Sequence, residues 1–216
     1  MPLARRPSKI VCIGRNYRAH AAELGNQAPV EPLFFLKPPS SLLSASEPIV
    51  VPEGVGRVDY EGEIGVVIGR DARNVSEADA WSYVSAFVPV NDVTARDLQA
   101  KDTQWTRAKG FDSFCPVGEP VPIDRVDAAE LEVFTRVNGA QRQHGKASDM
   151  AFSIPFLIAY VSRVMTLEAG DILATGTPEG IGPIAPGDVV EVEIPGVGVL
   201  RNPVVAEQAA VGASST

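Results

Sequence analysis

The chain has only two cysteines, Cys12 and Cys115, and their separation fits neither a disulfide framework nor a metal knuckle. Such sparse thiol use suits a reducing compartment. Histidine is equally scarce: His20 and His144 stand far apart in the chain, which disfavours zinc. No apolar run approaches the roughly 20 residues that cross a bilayer. The Ile10–Ile13 run behind Arg5, Arg6 and Lys9 is also too short for the apolar region of a secretory signal. Basic charge is lacking too. Lys and Arg number 19 against 27 Asp and Glu, a net charge of −8, and no basic stripe is dense enough to neutralise phosphates. The expectation is a soluble, cytoplasmic protein with no membrane and no nucleic-acid partner.

What is present is globular. Hydrophobic residues make up 45% of the 216 and charged residues 21%, and no repeat or composition break divides them. The 19 glycines and 18 prolines favour many turns and short strands. The expected layout is a loose arm over residues 1–9, one domain over 10–205 and a disordered tail over 206–216. Its class is α+β, rich in β.

Strand candidates are Ile10–Ile13, Leu33–Lys37, the proline-flanked edge segment Ile49–Val51, Val66–Ile68, Val84–Val90 and Ile172–Thr175. Asn138-Gly139 behind the alternating run Leu131–Val137 is a hairpin signal, and Val189–Ile194 should pair with Val199–Val205. Helices are expected over Tyr17–Leu24 behind an Asn16 cap, after Ser76–Asp79, after Thr94, and over Ser153–Met165. Residues 25–32 and Lys109–Pro116 read as loops.

Three acids fall at strand edges. Glu61 and Glu63 are two apart, so a strand points both to one face beside the buried run after them. Like charges there resist burial unless they share a cation, and Asp92 at the end of the next apolar strand offers a third carboxylate. Oxygen ligands alone select a hard ion, Mg²⁺, Mn²⁺ or Ca²⁺. The plainer alternatives are a solvated strand end for the glutamates and a turn residue for Asp92. His20 and Glu23, three apart on a helix, suit an oriented general base, though the plainer reading is a surface pair worth a few tenths of a kcal/mol. Lys109, an isolated lysine among glycine and aromatic residues, could stabilise an anion or simply be solvated. The Thr175–Gly180 loop offers backbone N–H groups to a small anion but lacks the ending of a P-loop.

In order, the chain carries Gly14-Arg15-Asn16-Tyr17 with His20 and Glu23, Phe35-Leu36-Lys37-Pro38 and Tyr60-Glu61-Gly62-Glu63. Asn91–Asp97, Lys109-Gly110-Phe111-Asp112, Phe152-Ser153-Ile154-Pro155 and Thr175–Gly180 come after them. Together these resemble the fumarylacetoacetate hydrolase family, especially its compact single-domain members: acylpyruvate hydrolases, oxaloacetate decarboxylases and isomerases of ring-fission products. The resemblance covers roughly residues 10–205 and no motif position is broken. The extra N-terminal domain of true fumarylacetoacetases has no counterpart, which weighs against that particular substrate.

The resemblance implies a mixed β-roll, a homodimer, and Mg²⁺ or Mn²⁺ held by Glu61, Glu63 and Asp92. It also implies catalytic roles for Lys109, His20 and Glu23, with Arg96, Gln99 and Thr177 meeting a 2-oxo acid substrate. The expected activity is hydrolysis of a carbon–carbon bond in an acylpyruvate or related 2,4-dioxo acid. Two rivals remain. Oxaloacetate decarboxylation, or isomerisation and decarboxylation of a hydroxydienedioate, needs the same enolate without attack by water. A non-catalytic protein that binds a divalent ion or a partner is the other.

Overall fold

Apolar and polar residues alternate along strands such as Val189–Ile194, while others, such as Gly62–Ile68, are apolar almost throughout and have both faces covered. The computed structural model describes residues 5–23 and 29–208. Its largest sheet has six strands in the order Val121–Pro122, Val84–Asn91, Gly62–Ile68, Ile172–Ala174, Ile10–Gly14 and Leu33–Lys37. Ile10–Gly14 runs parallel to Ile172–Ala174 while the other neighbours are antiparallel, so the sheet is mixed. The second sheet orders Ala140–Lys146, Glu132–Val137, Val189–Ile194, Gly198–Ala206 and Ile49–Val51. Gly182–Pro183, Val58–Tyr60 and Thr94–Ala95 form a small third sheet. Four α-helices are described, and only Ile154–Val164 exceeds six residues. The β-rich α+β expectation holds. No described helix is long and apolar enough to cross a membrane.

Packing fixes the strand that matters most. From Gly62–Ile68, Ile64, Val66 and Ile68 enter a core shared with Val133, Val192 and Ile194 of the second sheet and Leu157 of the long helix. Val67 faces the other way and joins Ile10, Cys12, Val88 and Val90. With both faces covered, all seven residues are buried, which is why the segment reads as a continuous apolar run. Burying each Val or Ile contributes roughly 1.5–3 kcal/mol. The glutamates at its start are therefore carried to a position set by hydrophobic packing.

Most local signals are obeyed. Asn138 and Gly139 take positive φ (53° and 78°) and turn Glu132–Val137 into Ala140–Lys146. Ser153 caps the long helix by accepting the Phe156 N–H, with Pro155 in the first turn. Four expectations need correction. Asn16 does not cap a helix; its side chain donates to Phe152 O and Thr175 O and accepts the Phe152 N–H, tying two loops together. Thr94 lies in a strand and donates to Asp92 O, so the Arg96–Lys101 helix starts without a side-chain cap. Ser76 and Asp79 bond as a capping pair should, yet the residues after them form a single 3₁₀ turn. Lys109 ends a one-turn helix, Thr106–Lys109, where a loop was expected.

The expected N-terminal arm is anchored where it meets the sheet: Ser8 and Lys9 both bond to Asp171. Residues 1–4, Leu24 of the first expected helix, residues 25–28 of the expected loop and residues 209–216 of the expected tail lie outside the described residues.

Candidate active site

Glu61 occupies the one-residue break between Val58–Tyr60 and Gly62–Ile68. Its N–H donates to Asn91 Oδ1 (3.0 Å) and its carbonyl accepts the Asp92 N–H (2.8 Å). These bonds, with the Gly62↔Asn91 register, set Asp92 beside the Glu61-Gly62-Glu63 segment. Only glycine fits between the glutamates, since a Cβ on Gly62 would lie 1.9 Å from Thr135 Oγ1 of the second sheet. Carboxylate oxygens of Glu61, Glu63 and Asp92 all lie within 4.8 Å of one another, and all three residues are buried.

Three ionised carboxylates this close and this dry require compensation. Lys109 Nζ donates to Glu61 Oε2 (2.9 Å) and Asp92 Oδ2 (2.7 Å). Lys37 Nζ donates to Asp92 Oδ1 (2.6 Å) and Val93 O (3.0 Å). Arg96 pairs through Nη2 with Glu61, through Nε with Asp59 (2.8 Å), and donates from Nη1 to Gln99 Oε1 (2.7 Å). Asp59 is gripped from its other side by Arg57. Glu63 is the exception: it accepts one backbone N–H, from Gly176 (2.8 Å), and has no ion-pair partner among the described residues.

Electrostatics separate the two glutamates. Burial raises the Glu61 carboxyl, but Lys109, Arg96 and His20 outweigh it and hold the group below the ordinary carboxylate range. Burial, reinforced by Asp92 and Glu61, pushes Glu63 well above that range. Burial also opposes charge on Lys109, but Asp92 and Glu61 more than offset it and keep the ammonium protonated. A divalent cation is what would keep Glu63 ionised beside its neighbours. The donor set is all oxygen, with no imidazole or thiolate, and so suits a hard ion. The residues fit a divalent metal.

A cavity of about 500 Å³ lies over this cluster, lined among others by His20, Glu61, Glu63, Arg96, Lys109 and Thr177. His20 is only 4% exposed, and its Nδ1 lies 3.3 Å from Glu23 Oε2. The carboxylate is placed to orient the ring, and a proton on Nδ1 would leave Nε2 with a lone pair. Glu23 in turn accepts the Gly180 N–H (3.1 Å). Thr177 donates to Gly62 O (2.9 Å) and accepts from Gln143 Nε2 (2.8 Å), so its hydroxyl also braces the strand that carries the glutamates. The nine candidates from the sequence thus converge. Seven line the cavity, Asp92 meets two of them through Lys109, and Glu23 stands behind His20.

The Thr175–Gly180 loop departs from expectation. The N–H groups of Gly176 and Gly180 are engaged by Glu63 and Glu23 of the chain itself, not presented as a general anion cradle. His144 stacks on Phe134 at 4.3 Å and bonds Glu132, away from the cluster. Lys37, Asp59, Arg57, Asn91 and Gln143 were missed as site residues. Lys37 did leave a signal: a lysine ending an apolar strand, with two prolines directly after it, has few ways to reach solvent.

Mixed sheets enclosing a buried carboxylate triad with a lysine across two of its members define a hard-metal enzyme site. The description "Fumarylacetoacetate (FAA) hydrolase C-terminal" matches residues 9–205, and the chain belongs to that family. An oxaloacetate decarboxylase, mitochondrial, of Dictyostelium discoideum is 45% identical over 195 residues, covering 88% of this chain and 89% of that protein. The oxaloacetate tautomerase FAHD1, mitochondrial, of Bos taurus is 45% identical over 193 residues, covering 87% of each. The fumarylpyruvate hydrolase of Pseudomonas aeruginosa, solved in complex with Mn²⁺ and pyruvate, superposes with a TM-score of 0.87 at 31% identity, covering 92% of this chain and 90% of that one.

Proposed function

We propose that the protein is a divalent-metal-dependent hydrolase cleaving a carbon–carbon bond in an acylpyruvate or related 2,4-dioxo acid, with Glu61, Glu63 and Asp92 holding Mg²⁺ or Mn²⁺. The observation that carries this reading is a buried His20, oriented by Glu23, in the same cavity as the carboxylate triad. The Mn²⁺ and pyruvate in the P. aeruginosa structure support it. When bound, the ion supplies Lewis-acid stabilisation of the charge that develops on the departing enolate.

The chain supplies the rest. His20 Nε2 takes a proton from water as the water oxygen attacks the distal carbonyl carbon. Glu23 holds the required tautomer and stabilises the imidazolium that results. As the tetrahedral centre collapses, the bond between the former carbonyl carbon and the adjacent CH₂ breaks. Its electron pair becomes the pyruvate enolate, and a proton delivered to that carbon gives pyruvate and a carboxylic acid. Lys109 adds fixed positive charge beside the developing enolate. Arg96, Gln99 and Thr177 orient the substrate carboxylate, while Phe35 and Trp105 form an aromatic wall of the cavity, 5.3 Å apart edge to face.

The test is loss of enol absorbance from acetylpyruvate with Mn²⁺ present. Wild type should clear it and His20→Gln should do so about a hundredfold or more slowly. Undiminished cleavage by His20→Gln removes the water-activating role.

A second reading is favoured by the two relatives at 45% identity: tautomerisation or decarboxylation of oxaloacetate through the same enolate, with His20 moving a proton but activating no water. Consumption of oxaloacetate with acylpyruvates untouched would select it. A non-catalytic ion-binding role would leave every such acid unconsumed.

A further inference from the structure

Ala140–Lys146 is an edge strand of the second sheet, and only two of its residues, Gln143 and Gly145, are buried. A bulge precedes Gln143: Thr135 pairs with Gln143 and Arg136 with Gln141, which leaves Arg142 as the extra residue. A bulge re-aims the side chains beside it, and Gln143 leaves its own sheet to reach Gly62 in the largest one. Its Oε1 accepts the Gly62 N–H (3.0 Å), and its Nε2 donates to Pro178 O (2.8 Å) and to Thr177 Oγ1 (2.8 Å). Gly62 N–H and Pro178 O are backbone groups of fixed polarity, so the amide can sit only one way round. Thr177 must then accept from Gln143 and give its own proton to Gly62 O (2.9 Å). A closed ring results, from Gly62 N–H to Gln143, from Gln143 to Thr177, and from Thr177 back to Gly62 O. With its hydroxyl proton committed, Thr177 is left its backbone N–H to offer a substrate carboxylate.

The ring grips both of the peptide planes that separate Glu61 from Glu63. The first plane also carries the Glu61 carbonyl, which accepts the Asp92 N–H (2.8 Å), so one peptide group ties Gln143 to all three acids. We propose that Gln143 is a positioning residue for the divalent ion, holding Glu61, Glu63 and Asp92 through Gly62 at the spacing a small hard ion requires. The assignment rests on the reading above, in which these three residues hold Mg²⁺ or Mn²⁺. The link between the glutamates is a glycine, the residue least able to fix its own torsions, and like charge drives its neighbours apart. A neutral amide resists that without adding charge beside the carboxylates. Rigidity matters because Mg²⁺ demands near-ideal octahedral geometry while Ca²⁺ accepts a loose site. Breaking the ring should therefore cost the small ion more than the large one.

The experiment measures Kd for Mn²⁺, Mg²⁺ and Ca²⁺ by calorimetry on metal-free protein. It compares wild type, Gln143→Met, Thr177→Val, Thr177→Ser and the double variant of Gln143→Met with Thr177→Val, with melting temperatures to verify that each folds. Gln143→Met keeps the length of the side chain but none of its bonds. It should weaken Mn²⁺ about ten- to a hundredfold, and should weaken Mg²⁺ more than Ca²⁺. Thr177→Val should do the same, while Thr177→Ser keeps the hydroxyl and should bind as wild type does. In the double variant the two losses should not multiply, since either one already opens the ring. Unchanged Mn²⁺ affinity in Gln143→Met, or an equal loss for Mg²⁺ and Ca²⁺, overturns the assignment. Should Gln143→Met not fold, Thr177→Val and Thr177→Ser decide it, and equal Mg²⁺-to-Ca²⁺ ratios in those two overturn it. Failure of wild type to bind any divalent ion sinks the metal-dependent reading itself and this role with it.

Discussion

Two carboxylates at opposite ends of the Ile172–Ala174 strand are both out of contact with solvent and very differently served. Asp171, just before the strand, is fully buried and accepts the Ser8 N–H and hydroxyl (2.9 Å each), the Lys9 N–H (3.1 Å) and the Glu168 N–H (2.8 Å). Lys9 Nζ adds an ion pair at 2.6 Å. Glu63, bonded to Gly176 past the other end, has that one N–H and two acidic neighbours. Burial raises the Asp171 carboxyl, yet its bonds to Lys9, Glu168 and Ser8 outweigh burial and hold it below its ordinary value of 3.8. Glu63 moves the opposite way. A buried charge satisfied by its own chain is a structural clasp. Glu63, with no cation beside it among the described residues, is the one proposed to be held for a metal.

The sharpest way to break this contrast is to withhold the ion. Exhaustive chelation should abolish turnover of any 2-oxo acid, with activity returning on addition of Mn²⁺ or Mg²⁺; full activity in chelator would sink the metal-dependent reading. Next is Lys109→Met, which should lower kcat by about 10²–10³, the scale of losing one donor to a developing oxyanion. A loss confined to KM would place Lys109 in ground-state binding instead.

Asp171→Asn should cost about 2–3 kcal/mol of stability in denaturant titrations, because it weakens several bonds to one charged group. It should leave kcat and metal affinity alone. Since the folded Asp171 is more acidic than the unfolded one, its stabilisation is present above pH 3.8 and lost as pH falls through the lower folded value. The gap between wild type and Asp171→Asn should therefore close in acid, and a gap independent of pH would contradict the clasp. The smallest effect is expected from Glu63→Gln without metal, where burial and its acidic neighbours already favour the neutral carboxyl and its amide replacement should change stability by less than about 1 kcal/mol. A large loss would mean that Glu63 is structural after all.

Distance along the chain decides which of these features were legible in the sequence. Glu61 and Glu63 could be read because strand periodicity relates residues two apart, and the Asn138-Gly139 turn because its dihedrals are local. The bond from Lys37 to Asp92 spans 55 residues and that from Arg96 to Asp59 spans 37, so no local pattern announces either. Asn16 shows the reverse error. It has the form of a helix cap, but partners 136 and 159 residues away claim its side chain. The short 3₁₀ turn after Ser76-Asp79 teaches the same lesson, since a correct cap does not make a helix where no packing extends it.

Binding of Mn²⁺ to metal-free protein, measured by electron paramagnetic resonance, tests the central claim most directly. Wild type and Asp171→Asn should each bind one ion per chain with equal affinity, and Glu63→Gln should bind more than about a hundredfold more weakly. Equal Mn²⁺ affinity in Glu63→Gln and wild type would contradict the account, because the buried carboxylate left without a cation among the described residues would then not be waiting for one.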